Sequence, residues 1–483
     1  MILCIGFIIY GGVLKKQIII IGSGPSGLAC AHELTTHQHA ADIVLLDKND
    51  RPGGLARTYT YKGFTFDIGP HRFYTKSTYV RMLWRSLLGK QLHRVKRLTR
   101  VYYRHKFFQY PIEIADILMK FDGYTLLSIV ISYISSQIRY ARRVPITYRQ
   151  WIEKKFGYKI FTIFFRDYTE KVWGVNCNNI SAKWAQQRIQ GLDLFSLIRA
   201  VFPFVRKDQN RSLVHEFYYP RHGAGQMYEV WAKSLIKKGV RSHLKAEVKR
   251  IFHDDHRITQ IHYSQGEIEY QVDPTMVFSS MPITKLVFAL SPIPPRMILE
   301  AAESLRYRDH ITVNLLVKKR NVFADNWIYI HDPSVRMARI TNYNNFNPKT
   351  TRGNKTALSV EYFVFKDEPL WRLSTNELVR MASRELNAIG LLAPEDICSG
   401  FIVKEEDSYP AYYLGYERQF AVIMAYINTF VNLRCIGRGG MYEYNNMDQA
   451  ILSGSRAAQE FILRKENASD WNSSDEVTYL EKY

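Results

Sequence analysis

Several things are scarce in this chain, and each scarcity removes a class of protein. Its 483 residues hold five cysteines (Cys4, Cys30, Cys177, Cys398, Cys435), an odd number with no C-x-x-C pair. That scatter gives neither a disulfide framework nor a zinc site, so a reducing, cytoplasmic setting and no metal are expected. Long apolar runs are also missing. Met1 to Val13 is apolar but too short to span a bilayer, and it lacks the charged start and cleavage site of a signal peptide. Because Lys15-Lys16-Gln17 looks like an ordinary beginning, the stretch before it reads as an upstream start or a loose extension. Tyr124 to Ile138 is interrupted by Ser128, Ser132, Ser135, Ser136 and Gln137 and followed by Arg139, Arg142 and Arg143. It is expected as a buried helix, with a membrane-surface helix as the lesser reading. No internal repeat or low-complexity block is visible. The tail from Lys465 is polar and is expected to be disordered or loosely docked.

Acidic residues are scarce as well: 45 Asp and Glu face 66 Lys and Arg, a formal charge of +21. Such a field favours anionic partners such as phosphorylated substrates or anionic lipid. Nucleic acid is set aside, since no nucleic-acid-binding fold is legible. Much of the charge lies between Arg81 and Lys106, which reads equally as a solvated face or a functional one. With 46% hydrophobic residues, the chain has enough to bury for two domains and room for a third.

What is present is sharpest at Ile18 to Gly27, I-I-I-I-G-S-G-P-S-G. The β-branched run predicts a parallel strand covered on both faces. Gly22, Gly24, Pro25, Ser26 and Gly27 then predict a turn into a helix from about Ser26 to Leu34. Gly22 allows the tight turn, Gly24 lets a pyrophosphate approach the backbone, and Gly27 lets the helix pack on the strand. The helix N-terminus suits phosphate. A second strand, Ile43 to Leu46, ends in Asp47 about twenty residues on, where a carboxylate can accept ribose hydroxyls. Together these predict a dinucleotide site.

The continuation from Asp47 and Lys48 through Gly53, Gly54, Leu55 and Arg57 resembles the FAD-binding flavoproteins of the amine oxidase and protoporphyrinogen oxidase superfamily, rather than NAD-dependent dehydrogenases. Further segments resemble UDP-galactopyranose mutases: the G-P-H turn of Gly69, Pro70 and His71; Y-T-E-K-V-W ending at Trp173, with Arg188 beyond it; and M-A-R-I-T-N-Y, which carries Arg339. E-E-D-S-Y-P-A-Y-Y-L contains Tyr412. The closing segment has Gly437-Arg438, Tyr442, Tyr444, Asn446, Met447 and Asp448 at the spacing G-R-x-x-x-Y-x-Y-x-x-M-D. Departures are Asp47 where Glu is commoner, R-F-Y-T after His71, and Asn446 where the mutases have Asp.

The resemblance implies an α/β fold: a Rossmann-like FAD-binding domain (GR2-type) with a helical cap insertion and an antiparallel β-sheet substrate domain. The FAD-binding domain is expected in three segments, 15–80, 216–290 and 426–465, with the mainly helical cap at 81–215, the substrate domain at 291–425 and a polar tail at 466–483. Gly22, Gly24, Pro25, Ser26, Gly27, Asp47, Lys48, Gly54, Leu55, Arg57, Gly69, Pro70, His71, Val248, Gly437, Arg438, Asn446, Met447 and Asp448 would hold FAD. Arg438, His71 and Arg339 would be catalytic, and Trp173, Arg188, Tyr412, Tyr442 and Tyr444 would bind substrate, with the arginines and tyrosines on a diphosphate. The implied activity acts on a nucleotide sugar or related anionic sugar through the flavin, with NAD(P)H a candidate reductant. Net oxidation of an amine, a porphyrinogen or a lipid-linked substrate is the alternative, and a non-catalytic flavin-bound scaffold a third. The oligomeric state is left open.

Overall fold

The computed structural model describes residues 17–37, 42–188, 215–347 and 353–463. The apolar run at the start forms the strand Gln17–Ile21, third of five in a parallel sheet ordered Leu433–Cys435, Met276–Ser279, Gln17–Ile21, Asp42–Asp47, Arg241–Leu244. Its alternation explains the uninterrupted isoleucines. Ile18 and Ile20 point into one apolar cluster and Ile19 and Ile21 into another, so both faces are covered. The helix Pro25–Thr36 lies on the first face beside Met447–Ile462, so close that a Cβ at Gly454 would collide with the Ser26 carbonyl oxygen. A separate four-stranded sheet is ordered Ile268–Val272, Ile258–Gln265, Ala246–His253, Leu290–Ser291.

The second domain, expected to bind substrate, centres on a seven-stranded sheet ordered Ile397–Pro410, Tyr307–Val317, Thr356–Val364, Arg339–Asn342, Trp327–Ile330, Thr99–Tyr103, Lys106–Gln109. All its pairings are antiparallel except the one between Trp327–Ile330 and Thr99–Tyr103. The hairpin Thr99–Gln109 thus belongs to this sheet rather than to the cap. The helix Thr78–Leu88 also leaves the cap: Val80, Leu83, Trp84 and Leu88 pack with Ile18 and Ile20 in the dinucleotide domain. The cap proper is built from Ile114–Lys120, Gly123–Tyr140, Tyr148–Phe156, a helical run over Tyr158–Trp173 and Ala182–Arg188. The middle run widens to a π-helical turn at Phe161–Arg166.

The helix Gly123–Tyr140 corrects an expectation. It is not buried: only Ile129, Ser136 and Tyr140 are, while Tyr124, Leu127, Val130, Ile131, Ile134 and Ile138 face outward. A helix apolar on both sides reads the same in sequence whether one or both faces are covered. Among the described residues no helix is long and apolar enough to cross a membrane. Met1 to Val13 and the tail from Lys465 lie outside the described residues.

Candidate active site

Where the five-stranded sheet, the seven-stranded sheet and the cap meet, they enclose a cavity of about 900 Å³. Its floor is the glycine turn. Gly22 takes φ +101°, a conformation that disfavours a side chain, and its N–H donates to the Leu46 carbonyl at 2.7 Å. A Cβ at Gly27 would collide with the Gly22 carbonyl oxygen, so this glycine sets how closely the helix sits on its strand. Gly22, Gly24, Pro25, Ser26, Asp47, Lys48, Gly54, Leu55, Arg57, Val248, Asn446, Met447 and Asp448 all line the cavity. Gly437 lies just behind it, against Ser26. Two helix N-termini, at Pro25 and Met447, open beside this floor, a suitable place for phosphate oxygens.

The acceptor role expected of Asp47 is already filled. Its Oδ2 accepts from Ser23 N and Oγ (2.7 and 2.6 Å) and its Oδ1 from Asn49 N and Nδ2 (2.8 and 2.9 Å). A ribose would have to replace one of these partners. Arg57 is buried and ion-paired with Glu405, with its Nε left unpartnered.

On the opposite wall, Gly69 takes φ +83°, and a Cβ there would stand 2.9 Å from Glu361 Oε2. This close approach carries His71 into the cavity, where its Nδ1 is buried without a hydrogen-bond partner. Burial, then the charges of Arg438 and Arg339, push the His71 imidazole down to about 3, so the ring is neutral at working pH. Arg339 makes a bidentate pair with Glu361, Nε–Oε1 2.7 Å and Nη2–Oε2 2.5 Å, and His310 Nε2 lies 3.0 Å from the same carboxylate. Burial disfavours the Glu361 charge, yet Arg339 and His310 outweigh it and hold the carboxyl at about 2. Arg339 thus reaches the cavity as half of a neutralised pair.

Arg438 is fixed differently. Its Nε and Nη2 donate to the Asn445 carbonyl (3.1 and 2.6 Å) and its Nη1 to the Ser408 carbonyl (3.2 Å). Its guanidinium lies 4.9 Å from the ring centres of both Tyr409 and Tyr444, and no carboxylate pairs with it among the described residues. Tyr444 continues into an aromatic group with Trp173 and Trp184, which meet edge to face at 4.8 Å.

Two expected substrate residues do not reach the cavity. Tyr442 is 2% exposed, and its hydroxyl donates toward the Arg306 and Ala411 carbonyls (2.7 and 3.0 Å). Its φ of +48° turns the side chain under the loop. Tyr412 is buried, accepts from Tyr444 N at 2.6 Å, and so sets Tyr444 from behind. From this segment it is Tyr409 that lies on the wall. The strand ends at Pro410 and Tyr412 lies beyond it, so the right segment was legible but the facing residue was not. Arg188 ends its helix, and its side chain lies outside the described residues.

Other wall residues, Trp184, Tyr168, Tyr409 and Glu405, were not singled out in the sequence, nor was Glu361 behind the wall. Tyr168 stacks on His331 at 4.4 Å and sits inside the Y-T-E-K-V-W motif, which was the available signal. Glu170 and Lys171 of the same motif both bind backbone. Lys171 Nζ donates to the carbonyls of Ile330, Asp332 and Met337 (3.0, 2.8 and 3.0 Å), and burial lowers its amine to about 8. Glu170 accepts from Cys177 N at 3.0 Å. The motif thereby pins the cap to the substrate sheet. One arm of the cavity is apolar, walled by Ile112, Ile117, Phe156, Ile160, Phe164 and Phe165.

Comparison with known proteins agrees with this architecture. A family profile described as NAD(P)-binding Rossmann-like domain matches residues 20–87. The solved structure of reduced UDP-galactopyranose mutase superposes with a TM-score of 0.82 at 20% identity, covering 96% of this chain and 97% of that one. Putrescine oxidase bound to putrescine gives 0.63 at 16% identity over 93% of this chain and 100% of that one. In sequence, a lycopene-forming phytoene desaturase of Pseudescherichia vulneris is 24% identical over 273 residues, 52% of this chain and 54% of that enzyme. An L-amino-acid oxidase of Crotalus adamanteus is 36% identical over 66 residues, 14% of this chain and 12% of that enzyme. The chain spans about half the length of the first curated relatives it matches. At these identities the structural likeness shows a shared fold.

Proposed function

Starting from the fold it shares with UDP-galactopyranose mutase, we propose that the chain is an FAD-dependent enzyme acting on a nucleotide sugar or related anionic sugar. The residues fit the cofactor. The turn at Gly22 and Gly24, the two helix N-termini and the cavity-facing backbone at Val248 would cradle a dinucleotide, and the orphaned His71 Nδ1 waits for a partner from a bound group. When bound, FAD would supply the redox or nucleophilic chemistry that no side chain here provides.

The observation that carries the reading is Arg438, a carboxylate-free guanidinium set beside the stacked rings of Tyr409 and Tyr444 on the cavity wall. There it offers positive charge to an anion without moving. Neutral His71 can hold or accept a proton at Nδ1. Trp173, Trp184 and Tyr444 provide flat faces for a base or sugar ring, and the cap above them limits water. The test is to incubate dithionite-reduced protein with UDP-galactose and separate the products. A ring-contracted nucleotide sugar supports the reading; unchanged substrate with fully reduced flavin refutes it.

One observation favours a second reading, net oxidation: the wall from Ile112 to Phe165 is hydrocarbon, and a sugar does not need it. Bleaching of oxidised flavin under anaerobic conditions by an apolar or lipid-linked substrate would support that reading instead.

A further inference from the structure

We propose that the cap docks on an anionic bilayer surface through the helix Gly123–Tyr140 and the segment after it. Tyr124, Leu127, Ile131, Ile134 and Ile138 recur at spacings of three and four, which places them on one side of the helix. All five are exposed, Tyr124 by 81% and Ile138 by 76%. Val144 (85%) and Ile146 (66%) extend the apolar surface past the helix, and Leu118 and Met119 are likewise exposed on the short helix before it. So many large apolar side chains together exceed the scattered exposure of an ordinary surface.

Charge selects the occupant. The helix contains no acidic residue; Arg139 in its last turn, 3.9 Å from Glu153, is followed past the helix end by Arg142 and Arg143, and all three are exposed. Asp122, at its N-cap, is bound to Thr125 N and Oγ1 (2.9 and 2.8 Å). A second copy packed antiparallel would bring three arginines against that one aspartate, a poor match. An anionic headgroup layer meets the same arginines and takes up the aliphatic stripe beneath them. The chain's charge of +21 acts in the same direction. Behind this helix stand Phe156 and Ile160, and next to Leu118 stands Ile117, all on the hydrocarbon wall of the cavity. The apolar arm of the cavity is thus separated from the docking face by one layer of helices.

Flotation of the full chain tests this with vesicles of phosphatidylcholine alone or of equimolar phosphatidylcholine and phosphatidylglycerol. Wild-type protein is expected to float with the anionic vesicles at low salt and to be released at high salt. Ile131→Ser/Ile134→Ser/Ile138→Ser should lower partitioning on the order of tenfold or more. Arg142→Gln/Arg143→Gln should abolish the preference for phosphatidylglycerol while leaving the apolar stripe in place. These side chains are exposed, so both variants should keep the wild-type melting temperature, which confirms that folding is intact. Protein that floats with neither vesicle overturns the proposal. So does a dimer in light scattering that the triple serine variant converts to monomer, since the face would then be an interface between copies.

Discussion

Glu361→Gln would remove the one negative charge facing Arg339 while keeping the shape of the side chain. Glu361 is fully buried, and its oxygens hold Arg339 twice and His310 once. Two routes give the magnitude. Leaving one member of a buried pair uncompensated costs about 3–5 kcal/mol. Independently, lowering a carboxyl from 4.5 in the unfolded chain to about 2 in the folded one corresponds to about 3 kcal/mol. The sign follows from a depressed pKa: the stabilisation is complete above pH 4.5 and is lost as pH falls toward 2. Glu361→Gln should therefore melt lower at pH 7 by roughly 3–5 °C, and its stability should fall less than that of the wild type between pH 4.5 and pH 2. Arg339→Met/Glu361→Leu, which removes both charges, should recover part of the loss. Circular dichroism melts across pH measure all three proteins. Equal melting temperatures at pH 7 with matching acid transitions would show that the pair is not what holds this wall.

Gly27→Ala should abolish the flavin spectrum, because a Cβ there meets the Gly22 carbonyl oxygen and pushes the helix off the turn; a yellow, stable variant would refute the packing role. Trp173→Ala should leave flavin absorbance intact and weaken substrate binding roughly three- to tenfold, the worth of one aromatic pair, as read by the change in KM. Lys171→Met leaves the carbonyls of Ile330, Asp332 and Met337 without their donor. It should destabilise by about 3 kcal/mol or more, measured by urea unfolding, and an unchanged midpoint would show that the cap is not tied there.

Local covalent chemistry makes part of this protein legible from sequence alone. Four isoleucines, a glycine that needs positive φ and another that admits a carbonyl oxygen specify the strand, turn and helix without help from distant residues. The same holds for the strand and glycine turn that carry Arg438. Sequence also found the Y-T-E-K-V-W segment, but not what Lys171 does in it, since its three carbonyl partners lie about 160 residues away. Tertiary structure decided the rest. Glu361 became the partner of Arg339 because neighbouring strands of the seven-stranded sheet set those two residues in register. Tyr409 rather than Tyr412 faces the cavity because the strand ends at Pro410 and the chain beyond it carries Tyr412 behind Tyr444. The outer face of Gly123–Tyr140 shows the same limit: its apolar pattern is written in the sequence, but whether protein covers it depends on which elements pack beside it.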